Sequence, residues 1–281
     1  MGCAETENPP LPDGPLLIED LAAACLKYER DPHNYTQAVH NFREALGIDV
    51  KVDETARNID LSRDEHCRHL INLFLNPWQC RLPNPESNEK NQRKRELILE
   101  RYARTYPGLA YWWRSFHEML PGASERLVDA SDDDLKRCVE PFEELCDVQI
   151  ADEEVYPRKF YGEVAASKTL YILRPHYFIA WDDATQTTFG FPSGGSCGRF
   201  YVRFLQRARG RMQELREQCE KSGSLEALAE LAADEARALR GHIESRWIEN
   251  IAACTVAELL NKYYWIRVPR KPSKSTRGRS L

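Results

Sequence analysis

"EVAASKTLYILRPHYFIAWDDATQ", residues 163–186, decides how the rest of the chain is read. It runs from small and apolar residues into Arg174-Pro175-His176, turns hydrophobic again, and ends on two adjacent carboxylates, Asp182 and Asp183. The first half reads as a helix, and Pro175 must end it. Proline cannot donate the next backbone hydrogen bond and disfavours helical geometry in the residue before it. A segment that only packed would not need two acids directly after Phe178-Ile179-Ala180-Trp181. Asp is a favoured N-cap, so the pair on one reading simply starts a helix "DATQTTF". On the other, a carboxylate is set against an apolar surround that strengthens its field while substrate still reaches it.

Outward from this stretch, nearly every periodic segment has helical spacing. "LLIEDLAAACLKYER" carries one apolar stripe, and "NYTQAVHNFREALG" closes on a glycine stop. "LSRDEHCRHLINLFLNP" begins with a serine that suits a cap and ends at proline. "NPESNEKNQRKRELILERYARTYPG" predicts a long charged helix ending at Pro107-Gly108, followed by a short aromatic helix, "LAYWWRSFHEMLPG". "SDDDLKRCVEPFEELCDV" has acids in its first turn, as the helix dipole favours, and a break or kink at Pro141. Beyond the Gly-rich "FGFPSGGSCGRF" come "RFYVRFLQRARGRMQELREQCEKSG", "SLEALAELAADEARALRGHIESRWIENIAACT" and "TVAELLNKYYWIRV". No β-hairpin signal and no internal repeat is present. The expected class is all-α with about ten helices, divided into a leader (1–15), an N-terminal helical part (16–150), a core with C-terminal helices (151–266) and a basic tail (267–281).

Composition bounds the function. Hydrophobic residues make up 42% of the 281, enough for a globular core. No apolar run approaches the roughly 20 residues of a membrane span, so a soluble, cytoplasmic protein is expected. The polar, Pro-rich start is no secretory signal. Met1-Gly2-Cys3-Ala4-Glu5-Thr6 fits a lipid-attachment pattern too short to outweigh that expectation. Nine cysteines without a C-x-x-C pair read as reduced thiols, most of them buried as small hydrophobes. His66 and His69 flank Cys67 at helical spacing, but no fourth ligand is evident, so no metal site is assigned. The net charge of -5 argues mildly against a polyanion partner, yet it is uneven. Residues 1–65 hold 14 Asp/Glu against 6 Lys/Arg, whereas "RVPRKPSKSTRGRSL" holds six Lys/Arg and no acid. Such basic tails, like "NEKNQRKR", are an electrostatic footprint of nucleic-acid binding and equally an ordinary solvated end.

A glycine, an apolar helix, a Pro-containing break, and then an apolar residue followed by Asp make a pattern that resembles the core of the helix-hairpin-helix DNA glycosylases. In that superfamily about twenty residues separate the second hairpin glycine from an Asp at the start of the next helix, beside the base pocket. Here Gly162 plus twenty is Asp182. The resemblance covers about 25 residues. Phe160 and Tyr161 stand where the first hairpin glycine would be, and Val164 stands where the lyase branch often carries lysine. Only Cys254 follows Cys219, which excludes the branch with a four-cysteine iron–sulfur cluster. The resemblance implies a two-lobed helical bundle with a divergent glycosylase core and DNA as partner. It further implies a monofunctional enzyme, needing neither metal nor organic cofactor, that excises a modified base, including unusual bases such as those of phage DNA.

Under that reading Asp182 stabilises an oxocarbenium-like sugar and positions water, with Asp183 in reserve. Trp112, Trp113, Tyr177 and Trp181 are the aromatics available to hold an extruded base. Backbone amides at Gly194, Gly195 and Ser196 suit a phosphate, followed by Arg199 and Arg203, with Arg270 and Lys271 in the tail. Lys168, one helical turn beyond Val164, is either a Schiff-base amine or a lysine snorkelling to solvent. Each residue has a plainer role too: the tryptophans as core, the glycines as an ordinary helix start, the arginines as a solvated face. The rival functions are a helical module that binds nucleic acid or protein without catalysis, and an enzyme acting on a free nucleoside.

Overall fold

A computed structural model describes residues 15–32, 34–48, 58–151, 160–191, 198–219, 227–239 and 243–268. The described chain is all-α. In chain order the helices are α1 (Ile18–Arg30), α2 (Thr36–Ala45), α3 (Asp64–His69), α4 (Gln92–Phe116), α5 (Asp132–Arg137), α6 (Val139–Cys146), α7 (Gly162–Leu173), α8 (Asp183–Thr188), α9 (Gly198–Cys219), α10 (Leu228–Ala238), α11 (Ser245–Ala252) and α12 (Val256–Arg267). Among the described residues, β pairing is confined to one isolated antiparallel bridge, Gln149 to Phe160.

Local chemistry sets most of these boundaries. α1 has Glu19 and Asp20 in its first turn and Lys27 and Arg30 in its last, matching the dipole at both ends. α2 stops at Gly47, whose φ of 63° is left-handed. The Gly47 amide bonds Glu44 O and the Ile48 amide bonds Arg43 O, the two-bond Schellman closure. Ser131 and Asp134 form a capping box on α5, and Thr255 and Glu258 form another on α12.

Four boundaries differ from the sequence expectation. Ser62 does not cap α3. Its hydroxyl goes to Asp60, and Arg63 stands at the cap position without a side-chain bond. α3 continues as a π-helical turn, Leu70–Leu75. The long charged helix and the short aromatic one are a single helix, α4, which runs through Pro107. An interior proline costs about 3 kcal/mol, but Leu109, Ala110, Trp112 and Trp113 are all buried beyond it. Burying each large apolar side chain contributes about 1.5–3 kcal/mol, so packing carries the helix past the proline. The break expected at Pro141 falls at Cys138, because proline at 141 removes the bond to the Arg137 carbonyl one turn earlier.

The buried apolar residues form one contiguous cluster from Leu16 to Tyr264. α1 packs against α12 and α10, so the first described helix joins the last ones, while α6 packs beside α7 and under α9. Two buried ion pairs fasten the ends together. Lys262 Nζ lies 2.6 Å from Glu29 Oε1, and Arg43 Nη2 lies 3.1 Å from Glu258 Oε1. Glu29 also accepts from Thr36 Oγ1 and Asn250 Nδ2 at 2.9 and 2.8 Å. Removing one partner of such a pair strands the other charge in the core. Glu29→Gln should therefore destabilise the fold by about 3–5 kcal/mol, read by urea unfolding.

His66 is buried, and its Nδ1 accepts from the Asp60 amide at 3.0 Å, which requires a neutral ring. Burial first, and then the Arg63 charge, hold its pKa below the ordinary value; burial and Arg43 do the same for His40. The unfolded state then binds more protons, so stability is full above the ordinary histidine range and falls as pH drops through about 6.5. Unfolding at pH 7 and pH 5 should show this loss, and His66→Gln should flatten the slope.

Candidate functional site

The apolar passage before the two acids is the axis of the core. α7 ends at Arg174, whose side chain is itself buried and donates from Nε to Pro121 O at 2.6 Å. After the turn at Pro175–Tyr177 the chain runs buried and outside any helix from Phe178 to Trp181. A buried segment outside any helix or sheet lacks regular backbone partners for all its peptides, so side chains must supply some of them. Ser167 of α7 is the main one. Its Oγ donates to Trp181 O and accepts from Trp181 N, both at 3.2 Å. Tyr201 of α9 donates to Ile179 O at 2.9 Å. The Trp181 ring packs on Tyr201, Phe204 and Phe191 at centroid distances of 5.1, 5.7 and 5.8 Å.

Asp182 is where this passage leaves the core. It is the N-cap of α8, and its Oδ1 accepts from Thr185 N and Thr185 Oγ1, both at 2.9 Å. The carboxylate is half-buried, and Asp183 beside it is exposed. Asp182 thus caps the helix and is also one of the residues that line a small cleft. The other walls of that cleft are Lys168, Trp181, Trp78, Tyr264, Trp265, Asn261, Ala180 and Thr185. Its free volume is about 10 Å3, close to the size of one water. A nucleobase does not fit without outward movement of the aromatic wall.

Lys168 is buried, not snorkelling. Its Nζ donates to Trp78 O at 2.8 Å and sits 5.0 Å from the Trp78 ring centroid and 6.0 Å from that of Tyr35. A carbonyl and two π faces therefore replace the water that an ammonium loses on burial. The amine and the Asp182 carboxylate belong to the same cleft.

Three of the four expected aromatics lie elsewhere. Trp112 is buried with Nε1 donating to Pro141 O at 2.7 Å. Trp113 stacks on His117 at 5.0 Å, and Tyr177 packs edge-on against Phe178 at 5.2 Å. They are core, because helix α4 and the turn after α7 aim them at the interior. Trp78, Tyr264 and Trp265 take their place at the cleft. Their sequence signals, Pro77-Trp78 after an apolar run and the Tyr263-Tyr264-Trp265 run, are visible but do not specify a wall.

The first amide of α9, Gly198 N, donates to Glu143 Oε1 at 2.8 Å. A side-chain carboxylate thus already sits at this helix start. Gly198 is required there: a Cβ would lie 2.6 Å from Val139 O. Gly194, Gly195, Ser196, Arg270 and Lys271 lie outside the described residues. Arg199 and Arg203 are exposed one turn apart on α9. Further along that helix Arg209 pairs with Asp132, Arg211 with Glu214 and Arg216 with Asp129. Among the described residues no three His, Cys, Asp or Glu side chains are grouped to hold a metal, and no helix is long and apolar enough to cross a membrane.

Comparison with family models, with curated proteins and with solved structures finds no match to this chain.

Ser167→Ala removes both bonds to Trp181 and leaves a buried amide unsatisfied, a loss of about 1–3 kcal/mol. Asp182→Ala should cost about 1 kcal/mol as a lost cap, while Asp182→Asn, itself a good cap, should cost almost nothing. Chemical denaturation of the three variants checks this ranking.

Proposed function

We propose that this chain is a DNA glycosylase that hydrolyses the N-glycosidic bond of a modified base, with Asp182 as the carboxylate that stabilises the sugar cation. The observation that carries the reading is that Asp182 ends a buried apolar passage in an aromatic cleft shared with a buried amine. Supporting it, Gly162 starts α7 in the left-handed region, with φ of 76°, and α6 packs beside α7. A helix-hairpin-helix core, within the two-lobed bundle that the resemblance implies, would likewise start its second helix at a glycine and pack it on the helix before. The field of a half-buried carboxylate is screened less than one in water. Its bonds to Thr185 fix its orientation before substrate arrives. Asp182 then stabilises positive charge at the anomeric carbon and orients the attacking water. Asp183, exposed, is the weaker candidate.

Base extrusion supplies the opening that the closed cleft requires. Trp78 and Trp265 move apart, and the flipped base is held against Trp181 and Tyr264. Arg199 and Arg203 contact phosphates, and Arg270 and Lys271 of the basic sequence tail are further DNA-binding residues in this reading. An unusual base, including a phage-type one, suits a cleft walled by Trp78, Tyr264 and Trp265 in place of Trp112, Trp113 and Tyr177.

One observation favours a second chemistry at the same site. The Lys168 amine is buried in the cleft, so a variant mechanism has it pass a proton to the departing base and its freed nitrogen bond to the anomeric carbon as the glycosidic C–N bond breaks. The imine on the opened sugar then directs strand cleavage. Incubation with DNAs carrying modified bases, scored for alkali-labile abasic sites, tests the first reading. Asp182→Asn should fold normally and lose at least about 100-fold in base release, in line with the loss of a charge that acts in the transition state. Wild-type activity in that variant would falsify the role of Asp182. Borohydride trapping separates the two chemistries. A covalent complex that disappears in Lys168→Ala makes the enzyme a lyase, and no complex leaves water as the nucleophile.

A further inference from the structure

A larger cavity, of about 560 Å3, shares no lining residue with the Asp182 cleft. It lies between the chain that follows the π-helical turn, residues 76–89, and the first half of α4. Its size falls in the range of about 300–1,000 Å3 typical of small-ligand sites. One wall is Leu82 and Pro83. The other is Leu97 and Ile98, half-buried on α4. Among the described residues, three cations, Arg81, Lys94 and Arg101, line it against one carboxylate, Glu89.

The wall is preformed at a conformational cost. Gln79 and Arg81 both hold left-handed backbone, with φ of 61° and 54°. Each such residue costs on the order of 1 kcal/mol and persists only where its surroundings over-determine it. Here Asn76 does so: its Oδ1 accepts from Leu82 N at 2.7 Å and its Nδ2 donates to Leu82 O at 3.0 Å. Asn84 ties the far end of the turn to Asn72 at 2.7 Å. This strained backbone delivers Arg81 to the cavity. The side chains of Arg81 and Lys94 make no hydrogen bond or ion pair with any described residue. Many of the other cations on this protein are in ion pairs.

We infer that this cavity binds a phosphorylated nucleoside, with the flat base between the Leu82–Pro83 and Leu97–Ile98 walls and the phosphate between Arg81 and Lys94. An inorganic anion alone would leave the apolar walls unused, and an apolar ligand alone would leave two cations facing it. The same chemistry is offered by a free nucleotide and by one unit of a single strand. The inference rests on this cavity and not on the reading of Asp182.

The test measures binding, not base release. The probes are dAMP, by calorimetry, and a labelled oligo-dA of about twelve nucleotides, by anisotropy, within the strand lengths that single-strand sites cover. Arg81→Gln combined with Lys94→Gln should weaken binding at least about tenfold, as lost charged hydrogen bonds do. For the oligonucleotide the slope of log affinity against log salt should fall by about 0.7, one single-strand phosphate. Ile98→Trp, which fills the slot, should weaken binding at low salt without changing that slope. Arg93→Gln with Arg95→Gln, two exposed cations of α4 outside the cavity, should cost much less. All these positions are exposed or half-buried, so the variants should keep the wild-type melting temperature within a few degrees. Binding of both probes with this pattern assigns a nucleotide site, and binding of the oligonucleotide alone assigns a strand site. Absence of binding by the wild type, or an equal loss in the Arg93/Arg95 pair, overturns the inference.

Discussion

A stretch of backbone that crosses a helical core outside any helix has to find hydrogen-bond partners that no regular element supplies. Phe178–Trp181 meets that constraint through Ser167 and Tyr201, which take up peptide groups of Trp181 and Ile179. Much else follows from those contacts. They hold α7 and α9 on either side of the passage and seat the Trp181 ring against Tyr201 and Phe204. They also set the point at which the chain leaves the core, and therefore where Asp182 stands. A carboxylate one residue earlier would be buried without a cap to orient it. One residue later it is Asp183, which faces solvent.

The cleft is completed from both ends of the chain. Trp78 follows the π-helical turn, Lys168 comes from α7, and Tyr264 and Trp265 come from α12. Their relative position depends on where α12 sits, which the Glu29–Lys262 pair fastens to α1 and the Arg43–Glu258 pair to α2. Buried ion pairs are weak contributors to net stability, because desolvation opposes their attraction. Their value here is register. Both carboxylates have further partners, so sliding α12 against α1 by one turn would strand several buried polar groups at once.

Two cavities then divide the surface near the turn at residues 76–84. Trp78 presents its carbonyl and ring to Lys168, while Arg81, three residues on, faces the larger cavity. The left-handed backbone at Gln79 and Arg81 makes that change of direction within so few residues. Such strain accumulates where a chain must aim side chains instead of merely connecting elements.

The helical class and most helix positions were legible in the sequence, since they depend on periodicity and on residues within one turn of each other. So was Asp182 as the end of a buried passage, because Pro175 and the apolar run bound it locally. The passage of α4 through Pro107 was not legible, since local propensity there is outweighed by burial of Trp112 and Trp113 against distant parts of the chain. Nor was the cleft wall: Trp112, Trp113 and Tyr177 look as suitable as Trp78, Tyr264 and Trp265 until packing turns one set inward. Lys168 reads as a solvated lysine on its own helix, and only the approach of the Trp78 carbonyl from 90 residues away buries it. The sequence by itself determined that most segments become helices, because helical periodicity is a matter of near neighbours. Only the tertiary structure decided which side chains meet, because burial and partnership depend on residues far apart in the chain.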